Sequence, residues 1–506
     1  MKAVLSKLDQ LAGVEPEGSL ASWLERGSFA CLLLMAASVP HSIAATQIAW
    51  LLGMVVSAAR LFISPRPRFR FFAFDAFLLA FVGWSVLTAF FSYEPAISID
   101  KLRGVGLFLI FFFARLNLRT RSAIAAVAFL MIGSAMVNVI WQPVERIIGR
   151  GVEVHGLRSD GALAKAGLAD GDAILRINGK RISSPDEIVA ALEAGETADA
   201  MFNRPDIYRT ITLRRTDLAT GTTSEERLGF TSWKKSHRWR AQGFFGHFTT
   251  YGEVLQIIAS LALGLVLGLA FGRGSSLGEF LRSPWLRTIL TAAVCLALIC
   301  IALLLSGTRA SQLGLLVSGI VMVFAIGNRK LIALMLVVLI PAAAGGYYVV
   351  QQTRQQDETN EYRKTMWRDG VRLATESPRH LLVGVGMDSL KERWREFGLF
   401  DGGRLPMGHF HSTPIQLAAE RGLPALLFWL LFLGAYARSL WRYLRREGNG
   451  PDVTFAVGLG VLGGVAGFFT AGLVHYNLGD GEVAMAFYLA AGLGAAVLVN
   501  KNVSSE

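Results

Sequence analysis

Charged side chains are scarce in this 506-residue chain. Asp, Glu, Lys and Arg make up 17%, where a soluble domain carries about a quarter. Cysteine is scarcer still: Cys31, Cys295 and Cys300 all sit inside apolar runs. No loop carries a cysteine pair, which excludes a disulfide framework and a zinc knuckle. None of the eight histidines stands in the His-Glu-x-x-His spacing that an intramembrane zinc protease needs for metal and base. The serine type fares no better, because Leu-Leu-Ser306-Gly307 lacks the Gly-x-Ser-Gly. What abounds is apolar: 53% of residues are hydrophobic, 53 are Gly, and the mean hydropathy is +0.44. These values exclude a soluble enzyme, a disordered regulator and a secreted disulfide scaffold. The first 26 residues are polar and of mixed charge, with Val4, Leu5, Leu8 and Leu11 spaced as a short cytoplasmic amphipathic segment.

Crossing about 30 Å of hydrocarbon takes about 20 apolar residues. Such stretches occur at 27–44, 46–64, 71–91, 98–117, 123–143, 249–271, 286–305, 310–327, 331–350, 414–437, 453–474 and 481–499. The reading is an all-α polytopic membrane protein of about 12 transmembrane helices. With the N-terminus inside, the even-numbered spans up to the tenth each end in a basic cluster. Arg66, Arg68 and Arg70 form the first, and Arg438, Arg442, Arg445 and Arg446 the last, as the positive-inside rule requires. The expected order is then a cytoplasmic segment 1–26, spans one to five over 27–143, an outer segment 144–248, and spans six to nine over 249–350. A second outer segment 351–413, spans ten to twelve over 414–499 and a tail 500–506 complete it. In a diderm bacterium this is an inner, cytoplasmic-membrane protein whose two long segments are periplasmic, where nucleotide sugars and ATP are not at hand. The net charge of +12 resolves accordingly. The two outer segments hold 26 Lys and Arg against 23 Asp and Glu, and the remainder is mostly cytoplasmic arginine that sets orientation, not a nucleic-acid surface.

Residues 150–215 read as a small soluble α/β insert. Val152-Glu153-Val154 starts an alternating strand, and Asn178-Gly179 between β-like runs signals a tight hairpin. Ser184-Pro185-Asp186-Glu187 opens an apolar-periodic helix, and a closing strand falls near Ile211-Thr212-Leu213. Together with Ala166-Gly167-Leu168 and Gly171-Asp172, this order resembles a bacterial PDZ domain. The resemblance implies addition of a partner peptide's strand to a sheet edge, with the carboxylate-binding amides around Gly149, Arg150, Gly151 and Val152. A docking or spacer module without a peptide ligand is the alternative.

Three features stand where spans meet the outer face. Ser306-Gly307-Thr308-Arg309 separates spans seven and eight, and an arginine so close to hydrocarbon either snorkels or faces protein, water or an anion. A helix over 361–375 places Tyr362, Met366, Trp367, Gly370, Val371 and Ala374 on one face. Lys364, Arg368 and Arg372 make a basic stripe on another side, and Arg363 lies between, one turn before Trp367. Thr413 with Gln416 three residues on is a capping-box pattern, and Pro414 suits the first helical position. Span ten then starts just after His411, beside backbone N–H groups that attract anions. His411 suits removal of a proton from a hydroxyl. A His409/His411 metal pair lacks a third ligand nearby. Arg240 and His247 precede span six. Several guanidiniums and an imidazole against a membrane suggest a lipid-attached diphosphate.

At these residues the chain resembles the O-antigen ligase and polymerase superfamily of bacterial membrane glycosyltransferases. The resemblance rests on Arg240-Ala-Gln-Gly243-Phe-Phe-Gly-His247, Gly307-Thr308-Arg309-Ala310, Tyr362-Arg363 with Trp367, and Gly384-Val385-Gly386. It closes on His411-Ser412, nine residues, then Gly422-Leu423-Pro424-Ala425, similar to the ligases' His-(Asn/Ser)-x9-Gly-x-x-Gly, with Ala425 for the usual final Gly. It covers 230–450, and the PDZ-like insert is not standard in the family. The resemblance implies transfer of a glycan from an undecaprenyl-diphosphate carrier to an acceptor hydroxyl, with inversion and without metal or cofactor. Arg309 and Arg363 then match the diphosphate-binding arginines, and His411 the acceptor-activating histidine. Arg240, His247 and Trp367 are lesser candidates for substrate contact. Lipid A core, a growing glycan and a protein serve equally as acceptor, so ligase and polymerase both stay open. A lipid-linked glycan transporter is the rival class; it calls for charges inside the spans, of which Asp75, Glu253 and Glu420 are examples.

Overall fold

The protein is described by a computed structural model over residues 2–14, 19–67, 69–204, 207–271, 284–337, 358–405, 408–447 and 452–503. The chain divides into two units, 1–137 with 244–506, and 138–243. Among the described residues, ten helices are long and apolar enough to cross a membrane. A short helix α1 (Lys2–Ala12) precedes α2 (Leu20–Ser38), α3 (Ile43–Leu61), α4 (Ala73–Phe90), α5 (Leu109–Asn117) and α6 (Arg121–Ile148). After the insert come α8 (Phe248–Ala270), α9 (Leu286–Ser306) and α10 (Arg309–Ile326). The loop helices α11 (Glu358–Thr375) and α12 (Pro378–Val383) follow, then α13 (Thr413–Glu447), α14 (Val453–Gly472) and α15 (Gly481–Val503).

Two of the twelve expected spans are not among the ten. Residues 338–350, most of the expected 331–350 span, lie outside the described residues. The expected 98–117 span is broken. It runs as Pro95–Asp100, Leu102–Val105, a 3-10 turn Gly106–Phe108 and α5. Gly104 and Gly106, poor helix formers, lie in and beside these breaks. The bend delivers Lys101 to Asp388, 2.7 Å away, which a straight apolar span would not do.

Helices α8, α14 and α15 form the centre: their membrane windows are 83–89% buried, against half or less for the others. They are apolar all round, as a helix enclosed by helices must be. Lipid tails are as apolar as leucine, so close backbone approach takes over as the cohesive force. A Cβ added to Gly264 of α8 would stand 2.3 Å from Gly460 Cα of α14, so only glycine permits that contact. Gly314 of α10 meets Gly467 of α14 in the same way. Polar pins supplement the packing. Ser260 Oγ donates to Ser318 Oγ (3.1 Å), joining α8 to α10. Arg115 Nη1 holds both carboxylate oxygens of Asp75 at 2.9 and 3.0 Å.

The second unit carries an antiparallel sheet in the order β5-β4-β2-β1-β6, with β3 paired to β2. Its strands are β1 (Arg150–His155), β2 (Ala173–Ile177), β3 (Lys180–Arg181), β4 (Thr197–Arg204), β5 (Ile207–Arg214) and β6 (Ser232–Ser236). Asn178 and Gly179, both at positive φ, make the expected tight turn from β2 to β3. Helix α7 (Pro185–Ala194) starts on a capping box of Ser184 and Glu187 with Pro185 in its first turn. Val152, Val154, Ile174, Ile188, Leu192 and Phe202 fill the core. The sheet extends past 215, because β6 pairs with β1.

That pairing corrects the expectation for Gly149, Arg150, Gly151 and Val152 as a peptide groove. Gly149 N–H donates to Glu145 O, closing α6. Arg150 pairs with Ser236 and Val152 with Ile174, so β1 has a strand on either side. No strand edge remains open there for an incoming peptide.

Candidate functional site

The site is built at one end of the first unit, where α8, α10 and α13 begin and the α14–α15 loop returns. Gly307 ends α9 in the left-handed conformation that glycine tolerates. Thr308 follows, its hydroxyl donating to Phe248 O in the first turn of α8 (3.3 Å). This places Arg309, the exposed first residue of α10, beside the start of α8. His247 is the N-cap of α8, its Nδ1 accepting from Thr249 N–H (3.2 Å).

The 358–413 segment has a core of its own around Met366, Leu373, Val385, Leu390, Phe400 and Phe410. Helix α11 contributes Met366, Gly370, Leu373 and Ala374 as its buried face. Tyr362 and Val371, expected on that face, are 42% and 53% exposed, because the packed stripe lies toward Phe410 and Ile415, against which Gly370 fits. Arg363 and Trp367 are half-buried, one turn apart. The basic stripe is partly committed: Lys364 pairs with Glu361 (2.6 Å), and Arg372 donates to the carbonyls of Phe397 and Gly398.

His411 is held at φ +50°, a left-handed conformation uncommon outside glycine. Its N–H donates to His409 Nδ1 (3.2 Å), and the two rings stand 4.2 Å apart. The expected capping box does not form. Thr413 is already helical, and its hydroxyl goes to Asn477 Oδ1 (2.8 Å), while Gln416 Oε1 accepts from Phe410 N–H (2.8 Å). The Thr413 N–H is given to His475 O and Pro414 has none, so this helix start offers an anion less than expected.

Burial, then the neighbouring His409, His475, Arg363 and His247, push the His411 pKa down to about 3. Burial with His475 and Lys391 takes His409 down to about 4. Both imidazoles are therefore neutral at physiological pH, and His411 presents a lone pair to a hydroxyl. His475 differs. Burial opposes its charge, but Glu253, with Nδ1 and Oε1 2.9 Å apart, and Asp480 raise its pKa above the ordinary value. His411 Nδ1 and Trp367 Nε1 are buried without a hydrogen-bond partner, as groups awaiting a ligand would be.

The structure thus brings Arg363 and His247 within electrostatic reach of His411, with Trp367 one helical turn from Arg363 and Arg309 beside the start of α8. Arg240 belongs to the other unit, where its N–H donates to Tyr208 Oη (3.0 Å). Sequence reasoning marked Glu253 only as a charge inside a span and missed its partner His475. The available signal was a lone carboxylate inside an apolar span, which demands a partner. Among the described residues, no three His, Cys, Asp or Glu side chains converge as metal ligands.

Spans of this kind ending in a histidine and arginine cluster define a polytopic membrane protein with a polar end rich in these residues. A family model described as O-antigen ligase matches residues 293–430, from α9 through Arg309, Arg363 and His411 into α13. Over that stretch, and with its membrane helices, the chain is similar to O-antigen ligases. No curated protein matches it.

Proposed function

We propose that the protein is a glycosyltransferase moving a glycan from an undecaprenyl-diphosphate carrier to an acceptor hydroxyl at the periplasmic face of the bacterial inner membrane. The observation that carries the reading is a neutral His411, held at positive φ with an unpartnered Nδ1, within electrostatic reach of Arg363 inside the matched stretch. Arg363 and Arg309 bind the diphosphate, whose charge grows as the glycosyl bond breaks. His411 takes the proton from the acceptor hydroxyl. The bound diphosphate offsets the cation that depresses His411, so the base strengthens when the donor arrives. Attack opposite the leaving diphosphate inverts the anomeric carbon. No step draws on a metal or a cofactor.

The PDZ-like insert serves as a docking or spacer module, since the edge expected to take a peptide is covered by β6. A polymerase of the same superfamily uses the same donor and differs in acceptor. Purified protein incubated with a lipid-diphosphate glycan and an acceptor should release undecaprenyl diphosphate; intact donor with every acceptor class overturns the reading. In a deletion strain, free polymer with no long chains on the anchor marks a ligase, and single attached units mark a polymerase.

A further inference from the structure

The glycosyl-transfer reading leaves one pair unused. Glu253 lies on the membrane helix α8 with 2% of its side chain exposed, within 2.9 Å of His475. A carboxylate at that depth is costly unless it is paired. The partner comes from the α14–α15 loop, which is tied down on two sides. Thr250, one turn before Glu253, donates its hydroxyl to Asp480 (2.6 Å). Thr413, two residues after His411, donates its N–H to the His475 carbonyl (3.1 Å). The imidazole is therefore fixed between the helix that starts at His247 and the turn that carries His411. The His475 ring stands 6.1 Å from that of His411 and 6.0 Å from that of His409. Nδ1 is the nitrogen turned toward Glu253, at 2.9 Å, which leaves Nε2 for a ligand.

We propose that His475, set 2.9 Å from the buried Glu253 carboxylate, is a diphosphate-binding residue of the transfer site, donating from Nε2 to the phosphate oxygens of the lipid carrier. This rests on the reading of the donor as a lipid diphosphate. The charged and titratable groups facing His475 are Glu253 on α8, Asp480 on its own loop, His409 and His411 before α13, and Arg363 on α11. Glu253 and Asp480 favour the charged ring; Arg363 opposes it. A bound diphosphate offsets Arg363 and strengthens the charge further. The two neighbouring histidines are pushed in opposite directions, His411 down and His475 up, a division that suits one to base and the other to electrophile.

The test is binding of undecaprenyl diphosphate to the full-length protein in detergent, measured across neutral to alkaline pH beside glycan transfer. Wild-type affinity should fall as pH rises through the raised His475 pKa. Glu253→Gln should move that fall to lower pH. His475→Arg, permanently charged, should remove it, and His475→Gln should bind about tenfold more weakly at neutral pH. A merely structural dyad would weaken the variants without moving the alkaline limb. Flat wild-type affinity overturns the proposal without any variant having to fold, and so does wild-type binding by His475→Gln. If the lipid diphosphate binds with this pH dependence yet no glycan is transferred, the transfer reading fails and the dyad stands. If glycan is transferred while binding stays flat with pH, the dyad fails and the transfer reading stands.

Discussion

Gly422 explains the spacing His411, Ser412, nine residues, glycine, and replacing it tests the explanation. Helix α13 is interrupted there, at φ 78° and ψ 168°, a region open essentially to glycine alone. The break lets the 384–386 segment run alongside, with Val385 N–H donating to Ala419 O and Gly386 N–H to Glu420 O, both at 2.9 Å. An added Cβ would lie 2.0 Å from the Leu382 carbonyl oxygen and 2.3 Å from its carbon. Those are backbone atoms and cannot swing aside. Backbone strain of about 1–3 kcal/mol and the loss of those two hydrogen bonds, about 1 kcal/mol each, put the cost of Gly422→Ala at about 3 kcal/mol or more. Gly434→Ala in the same helix is the matched control, since nothing lies within 4 Å of its Cβ position; it should be neutral or slightly stabilising. Thermal melting followed by tryptophan fluorescence in detergent should show Gly422→Ala several degrees below wild type, with transfer lost, and Gly434→Ala unchanged. Equal melting and activity for Gly422→Ala would refute the argument.

Arg309→Ala, Arg363→Ala and His411→Ala should each abolish transfer at normal expression; wild-type surface glycan from any one of them removes that residue from the mechanism. Arg115→Met strands Asp75 at 0% side-chain exposure and should cost about 3–5 kcal/mol. Adding Asp75→Asn should recover part of the loss, and a wild-type melting temperature for Arg115→Met would contradict the pairing. For pH, the depressed His409 and His411 values mean the unfolded chain binds more protons below its ordinary histidine pKa of about 6.5. Stability should therefore fall on acidification from about 6.5 toward 4, and the double substitution to Gln should flatten that slope in a melting series.

Much was legible because bilayer physics constrains composition directly. Ten of the twelve apolar stretches are helices of spanning length, since a lipid-exposed backbone must satisfy itself internally. The 98–117 stretch misled because its apolar content outweighed two glycines and Lys101, and hydropathy does not register a bend. The insert's turn and helix start were readable from Asn178-Gly179 and Ser184-Pro185, whose chemistry is local. The strand covering β1 was not, because β6 lies some 80 residues further along the chain, and pairing at that distance leaves no local mark.

The same division holds at the site. Residue chemistry and spacing determined the membrane class and drew attention to His411, Arg309 and Arg363, and the resemblance to the ligases' pattern marked the separation of His411 from Gly422. Only the tertiary structure decided that Thr413 spends its hydrogen bonds on the α14–α15 loop instead of a capping box. It alone decided that Glu253 meets His475 across more than two hundred residues, and that the pKa of His411 is pushed down while that of His475 is pushed up. The reason is physical. Propensity and periodicity act over a few residues, whereas the protonation of an imidazole is set by whatever charge packing brings within a few ångströms.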